Sequence, residues 1–332
     1  MRQFRTFGFV TFCLIMIYSS HSFGQIEQYR WKTKMTHGAP DGRHENAFVE
    51  FNGKFYLIGG RGVNPVNVYH PKTNRWKKKS KIPMEIHHFQ AVVHGDIIYI
   101  VGGMTGRYPK EKPLEHVWMY NPKADVWEKG AAIPKNRQRG GAGAAVYNDK
   151  IYLAGGIKLG HTSGTTNYFD CFDPKTNTWE TLTDAPHIRD HYSAIVHDNK
   201  LYCIGGRNTS VHYPKNFGAF FGATVPHIDY YDFKLQKWFT MKNPLPGPTA
   251  AGSVVKLNND LIYFGGESNQ KLAHNQTQCL DLETGNWKLV SPMVVGRHGT
   301  GAILYKDAIY IAAGSEKRGG GKLTSMEVFS MK

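Results

Sequence analysis

The sequence predicts an all-β fold built as a closed ring of six similar four-stranded units. Three observations lead there. A short apolar, tyrosine-bearing run that ends in glycines recurs six times: 55–60, 97–103, 151–156, 201–206, 261–266 and, in a weaker form, 309–314. The first positions of the pairs (59, 102, 155, 205, 265, 313) lie 43, 53, 50, 60 and 48 residues apart. A second phrase keeps step, with an aromatic or apolar residue seven before a tryptophan: Tyr69 and Trp76, Tyr120 and Trp127, Phe172 and Trp179, Tyr231 and Trp238, Leu280 and Trp287. Finally, Trp31 has no glycine pair before it, and the last copy has a pair but no tryptophan. The two chain ends therefore read as halves of one unit.

Each element has a local reason. An apolar run closed by Gly-Gly is a strand buried on both faces, with glycine where a Cβ would not fit. Between aromatic and tryptophan stand turn formers such as Asn-Pro-Lys and Asp-Pro-Lys-Thr-Asn, so that phrase is strand, turn, strand. Blade one starts with strands at 47–51 and 54–59. The others follow at 89–130, 142–182, 192–241 and 250–290, and blade six takes 300–330 plus 29–34 around Trp31. Pairing the ends in this way removes exposed strand edges. No helical pattern of useful length is present.

Before the array, residues 1–24 carry Arg2 and Arg5 and then an apolar run from 7 to 18. That is the pattern of a signal peptide, with cleavage expected before Gln25, so a secreted or periplasmic location is expected. Cys13 lies within the run, and no lipid anchor is expected. No later stretch is apolar enough to insert in a membrane. Losing residues 1–24 takes two positive charges and no negative ones from a formal net charge of +15, leaving +13. Such a surface adsorbs polyanions, but no nucleic-acid motif accompanies it, and nucleic acid is not expected as a partner. Cys171, Cys203 and Cys279 fall in strand phrases of three blades and read as buried thiols.

A period near 50 residues with a glycine pair and a tryptophan resembles the kelch family, whose members form β-propellers with four antiparallel strands per blade. The resemblance implies a six-bladed kelch propeller over 25–332. It implies little about function.

In such a blade, the loop into the innermost strand and the loop after the glycine pair open on one face of the disc, near the axis. Sixteen before the pair stand Arg139, Arg189 and Arg297, with Thr249 in blade five. Fourteen before stand His88 and His191, and His44 joins them if the blade-one hairpin is one residue longer. After the pairs come Arg61, Lys158, Arg207, Glu267 and Glu316. A spacing of two puts the Arg and His columns on one side of a strand. The expected site is a basic rim for an acidic mono- or oligosaccharide: a uronate, sialate or sulfated sugar. Arg139, Arg189, Arg297, Arg207 and His44 would bind the ligand, and His88, His191, Tyr192 and Glu267 would transfer protons. The opposing expectation is that these groups satisfy backbone carbonyls inside the channel.

Gly266-Glu267 resembles an element of the exported bacterial sialic-acid mutarotases, which are kelch propellers. There a Glu follows a Gly and an Arg stands six residues later; here Ala273, then His274, takes that place. The resemblance implies an epimerase. Two alternatives stay open: a non-catalytic propeller binding glycan or protein, and a uronate lyase using His191, Tyr192 and His88 with Arg189 as counter-charge. A metal held by His44, His88 and His191 is opposed by the neighbouring arginines, so neither metal nor cofactor is expected. Copper-radical oxidases also contain kelch propellers, but their Cys–Tyr arrangement is absent. Residues 207–227, which include Tyr213, Phe217, Phe220 and Phe221, form the longest connection. They are expected either to cap one mouth of the channel or to pack on their own blade.

Overall fold

Glycine pairs end the second strand of each blade because the next blade's backbone lies against them. In the computed structural model, which describes residues 26–332, the second glycine of every pair donates its N–H across the blade boundary. Gly60 donates to Ile86 O, Gly103 to Arg139 O, Gly156 to Arg189 O, Gly206 to Thr249 O, Gly266 to Arg297 O and Gly314 to Arg43 O, at 2.8–3.0 Å. The last of these runs from blade six to blade one and completes a ring. A Cβ at Gly265 would stand 2.4 Å from the Arg297 carbonyl, and its φ of +74° is one that side chains rarely adopt.

Among the described residues there are six four-stranded antiparallel sheets and two small two-stranded ones. Blade one is Asn46–Phe51, Lys54–Gly59, Pro65–His70 and Arg75–Lys81, and blades two to five repeat that order. In blade six, Ala302–Tyr305, Ala308–Ala312 and Met326–Met331 are joined by Tyr29–Thr33 as the outermost strand. The aromatic-to-tryptophan phrase is a cross-strand pair: Tyr69 faces Trp76, Phe172 faces Trp179, and Phe329 faces Trp31. Such pairs contribute about 0.2–1 kcal/mol each, and they pin the register of the two outer strands. The core lies between blades. Phe48 and Leu57 of blade one pack with Ile303 and Ala312 of blade six, and the other boundaries are filled likewise.

Departures from all-β structure are small. A 3-10 turn forms at Phe217–Gly222, and the loops after the glycine pairs of blades two and three are hairpins, Met104–Thr105 with Lys112–Pro113 and Ile157–Leu159 with Ser163–Thr165. Cys171, Cys203 and Cys279 are free and buried. No helix among the described residues is long and apolar enough to cross a membrane. The expected signal peptide, 1–24, lies outside the described residues.

Candidate functional site

The arginine column is a set of structural latches, not a ligand rim. Sixteen before the pair in five of the six blades, a side chain turns back to its own blade and donates to the carbonyl of the pair's first residue. Arg43 reaches Gly59 O, Arg139 Gly155 O, Arg189 Gly205 O, Thr249 Gly265 O and Arg297 Ala313 O. Arg139 also bonds Leu153 O and pairs with Asp170 at 2.7 Å. Arg189 bonds Cys203 O and His227 O and pairs with Asp229 at 2.6 Å, and Arg297 bonds Ser325 O and pairs with Glu327 at 2.5 Å. All three are fully buried. Expectation is corrected for Arg139, Arg189 and Arg297: carbonyls and carboxylates of their own blades hold their guanidinium groups, with the Arg297 Nε left unpartnered. Their partners stand two residues before the aromatic of the tryptophan phrase, at Asp170, Asp229 and Glu327, with Asn67 in blade one. Blade two replaces the latch by an apolar pair, Ile86 and Trp118, packed in one cluster.

The column fourteen before each pair is the hub of the molecule. It reads Glu45, His88, Gly141, His191, Ala251 and Gly299, one residue per blade, and all six have left-handed φ of 51–68°. Their backbones form a ring: His88 N donates to Glu45 O, Gly141 N to His88 O, His191 N to Gly141 O, Ala251 N to His191 O and Gly299 N to Ala251 O. Asn46 N then closes it on Gly299 O. The ring lies at one end of an axial cavity of 450 Å³, which continues along the innermost strands to Val93, Val196 and Leu304. Glu45, not His44, holds the blade-one place, because the hairpin has no extra residue. His44 sits one position away, its ring 6.4 Å from that of His298.

Behind the ring, residues two after the first glycine carry Arg207 and Glu267, from adjacent blades, paired at 2.5 Å. Glu267 also accepts from Gly319 N at 2.7 Å and lies 3.3 Å from His298 Nε2. Burial alone would raise its pKa, but His298, Arg207 and Gly319 N–H outweigh it and bring the carboxyl down to about 2. A group so firmly ionised is a poor acid at neutral pH. Tyr192 is corrected too: its hydroxyl donates to Ala154 O at 2.5 Å, and burial pushes its pKa well above the ordinary value.

Loops bring in residues that no column contains. His161, from the blade-three hairpin, completes a triangle with His88 and His191, with ring centroids 4.8–5.2 Å apart. One ring nitrogen from each of the three lies within 4.8 Å of the others, the arrangement here that could hold a metal ion. It takes in His161 where the sequence offered His44. Each ring is tied from outside. His191 Nδ1 meets Asp190 Oδ1 at 2.5 Å, His161 Nδ1 meets Glu111 at 3.1 Å, and His88 Nδ1 meets His87 Nδ1. Asp190 accepts in turn from Thr165 Oγ1 and Thr209 N, and Glu111 from Arg61 at 2.6 Å. Burial, then its imidazole neighbours, pushes the His88 pKa well below the usual value, and burial also lowers that of His161. Burial would raise Asp190, but His191 and Arg207 hold it at about 2. Glu45 lies 3.6 Å from His88 Nε2; opposing its burial, His298, His191 and His44 keep its carboxyl low.

Residues 207–227 cover this hub. Phe220 is buried 5.8 Å from the His161 ring and 4.8 Å from the Arg207 guanidinium. Tyr108, from the blade-two loop, packs tilted against His161 with ring centroids 5.0 Å apart, and Phe217 lies beside it. His161, Glu111 and Thr209 had no place in the repeat register. The available signal was a polar residue within each long post-glycine insertion.

The Attractin/LZTR1 beta-propeller family matches residues 18–251. "Kelch-like protein terF" of Aspergillus terreus is 27% identical over 297 residues, 82% of this chain and 61% of that protein. Human "Kelch-like protein 23" is 25% identical over 86% of this chain and 48% of its own length. Kelch-like protein 40 of Xenopus laevis is 31% identical over 50% of this chain and 26% of its own. The chain thus spans between about a quarter and three fifths of these relatives. The solved structure titled "Structure of YjhT" superposes with a TM-score of 0.74 at 17% identity, covering 89% of this chain and 97% of that one, a likeness of fold.

Proposed function

We propose, for a chain that belongs to the Attractin/LZTR1 β-propeller family and is a kelch-type propeller, that it binds a small polar ligand in its axial channel. The working site is the hub of Glu45, His88 and His191. One observation carries this reading. Glycine serves the left-handed hub position in blades three and six and alanine in blade five, yet Glu45, His88 and His191 occupy it in blades one, two and four, lining the cavity. Each costs roughly 1–2 kcal/mol of backbone strain that glycine would avoid, and strain of this kind gathers at functional sites. A volume of 450 Å³ lies in the range of small-ligand pockets, the size of a mono- or disaccharide.

His191, oriented by Asp190, is the group suited to proton transfer, with Nε2 buried and unpartnered. An acidic sugar fits this reading less well than a neutral polyol, because Arg139, Arg189 and Arg297 are spent and Arg207 is paired. An epimerase or lyase would have to work through His191 and Glu45. Export belongs to the same proposal, and a mature N-terminus at Gln25 would support it. A second reading, docking of a protein partner, is favoured by the exposed aromatics Tyr108, Tyr213 and Phe217 on the hub cap.

The test is a ligand-observed NMR screen of neutral and acidic mono- and oligosaccharides, with anomer exchange and unsaturated-sugar absorbance followed in parallel. Glu45→Gln and His191→Asn should each lose the bound ligand while still folding to the wild-type β circular-dichroism spectrum with a single cooperative melt. A ligand held equally by both variants would place binding outside the hub and end the proposal.

A further inference from the structure

Three imidazoles meet at the hub with no hydrogen to share between them. His87 Nε2 faces the Gly106 carbonyl at 3.0 Å, so that nitrogen carries the proton and His87 Nδ1 is bare. His88 must then donate from Nδ1 to His87. His191 donates from Nδ1 to Asp190, and His161 from Nδ1 to Glu111. In all three rings the other nitrogen, Nε2, is left as a bare lone pair. The His191 Nε2 is buried without any partner, and Glu45 lies 3.6 Å from His88 Nε2. Three convergent acceptors and a carboxylate repel one another unless a cation or donor sits among them.

We infer that His88, His161 and His191 bind a divalent first-row metal ion through Nε2, with Glu45 beside a fourth position that opens on the axial cavity. Bonds of about 2.0 Å in tetrahedral array need nitrogens roughly 3.3 Å apart; one ring nitrogen from each of the three histidines already lies within 4.8 Å of the others. The outer partners are those that metal-bound histidines use: a carboxylate on two rings and, on the third, an imidazole anchored to a carbonyl. Charge agrees. Glu45, Glu111, Asp190 and Glu267 face Arg61 and Arg207, each of which is already matched by one carboxylate. With His298 also beside Glu45 and Glu267, the carboxylates still outnumber the fixed cations around the three imidazoles. The arginines that argued against a cation are thus neutralised. Neutral imidazole nitrogens with one carboxylate suit zinc, iron, manganese or cobalt.

The site uses the same hub as the proposed ligand pocket: with a metal on Nε2, His191 is a ligand and proton transfer falls to Glu45. The metal titration is read without any channel ligand, so its failure would leave ligand binding in the channel standing. The test uses the full mature chain without a histidine tag, stripped by chelator and titrated with Co²⁺ and Zn²⁺. One ion per chain is expected, with a Co²⁺ visible spectrum of low coordination number. Asp190→Asn should weaken binding about 10–100-fold. His161→Asn, on a loop hairpin, should abolish it while the metal-free melting temperature stays put, and His70→Asn, far from the hub, should change nothing. Absorption-edge spectroscopy of the wild type should count three imidazoles. Failure of the stripped protein to take up metal, uptake unaffected by His161→Asn, or fewer than two imidazoles at the ion would each overturn the assignment.

Discussion

Arg189→Ala separates a latch from a ligand clamp. The wild-type guanidinium is buried, donates to the carbonyls of Cys203, Gly205 and His227, and pairs with Asp229 at 2.6 Å. Removing it strands a fully buried carboxylate, although His187 and Thr240 still contact Asp229. Breaking a buried pair from one side costs about 3–5 kcal/mol. In a domain of this size that corresponds to a drop of roughly 6–15 °C in melting temperature. The assay is a thermal melt followed by circular dichroism, with Arg189→Met/Asp229→Leu as the second variant. The double variant should recover at least half of the loss, because blade two already replaces the latch with Ile86 and Trp118. An Arg189→Ala protein melting within about 2 °C of wild type would refute the latch.

Two further outcomes concern pH. Asp260 and Asp281 face each other across two buried strands, with the Cys279 thiol, a weak donor, beside the Asp260 carboxylate. Burial, and then Asp281, pushes the Asp260 pKa up to about 6. A raised acid contributes stability that is full below its unfolded value of 3.8 and lost as pH rises through 6, so Asp260→Asn should raise the melting temperature at pH 8 but not at pH 4. The hub should behave oppositely. Burial, then Arg61, lowers His87 from 6.5 to about 4, while Glu267 and Asp190 are held at about 2. Depressed values contribute stability present above the unfolded pKa and lost on acidification. Melts taken across pH should therefore weaken first between 6.5 and 4 and again towards 2, with His87→Asn flattening the first limb and Glu267→Gln the second.

Much of the site was visible as columns, and its meaning was not. The spacing of sixteen picked out Arg139, Arg189 and Arg297 because one blade geometry repeats. It could not say which way a long side chain turns. The acids two before each aromatic, Asp170, Asp229 and Glu327, were equally visible and would have identified the latches. In blade one, the direct count leads to Arg43 and Glu45; the assumed extra residue led to His44. His161 and Glu111 lie on hairpins whose lengths differ between blades, so no register reaches them.

Periodicity by itself determined the all-β class, the six blades, the strand order and the tryptophan pairing. Those follow from local propensity and from glycines that the neighbouring backbone demands. Tertiary structure alone decided which charges are spent holding a blade together and which meet on the axis. Burial and pairing depend on groups brought together from residues as far apart as Glu45 and His298, and linear spacing carries no record of that distance.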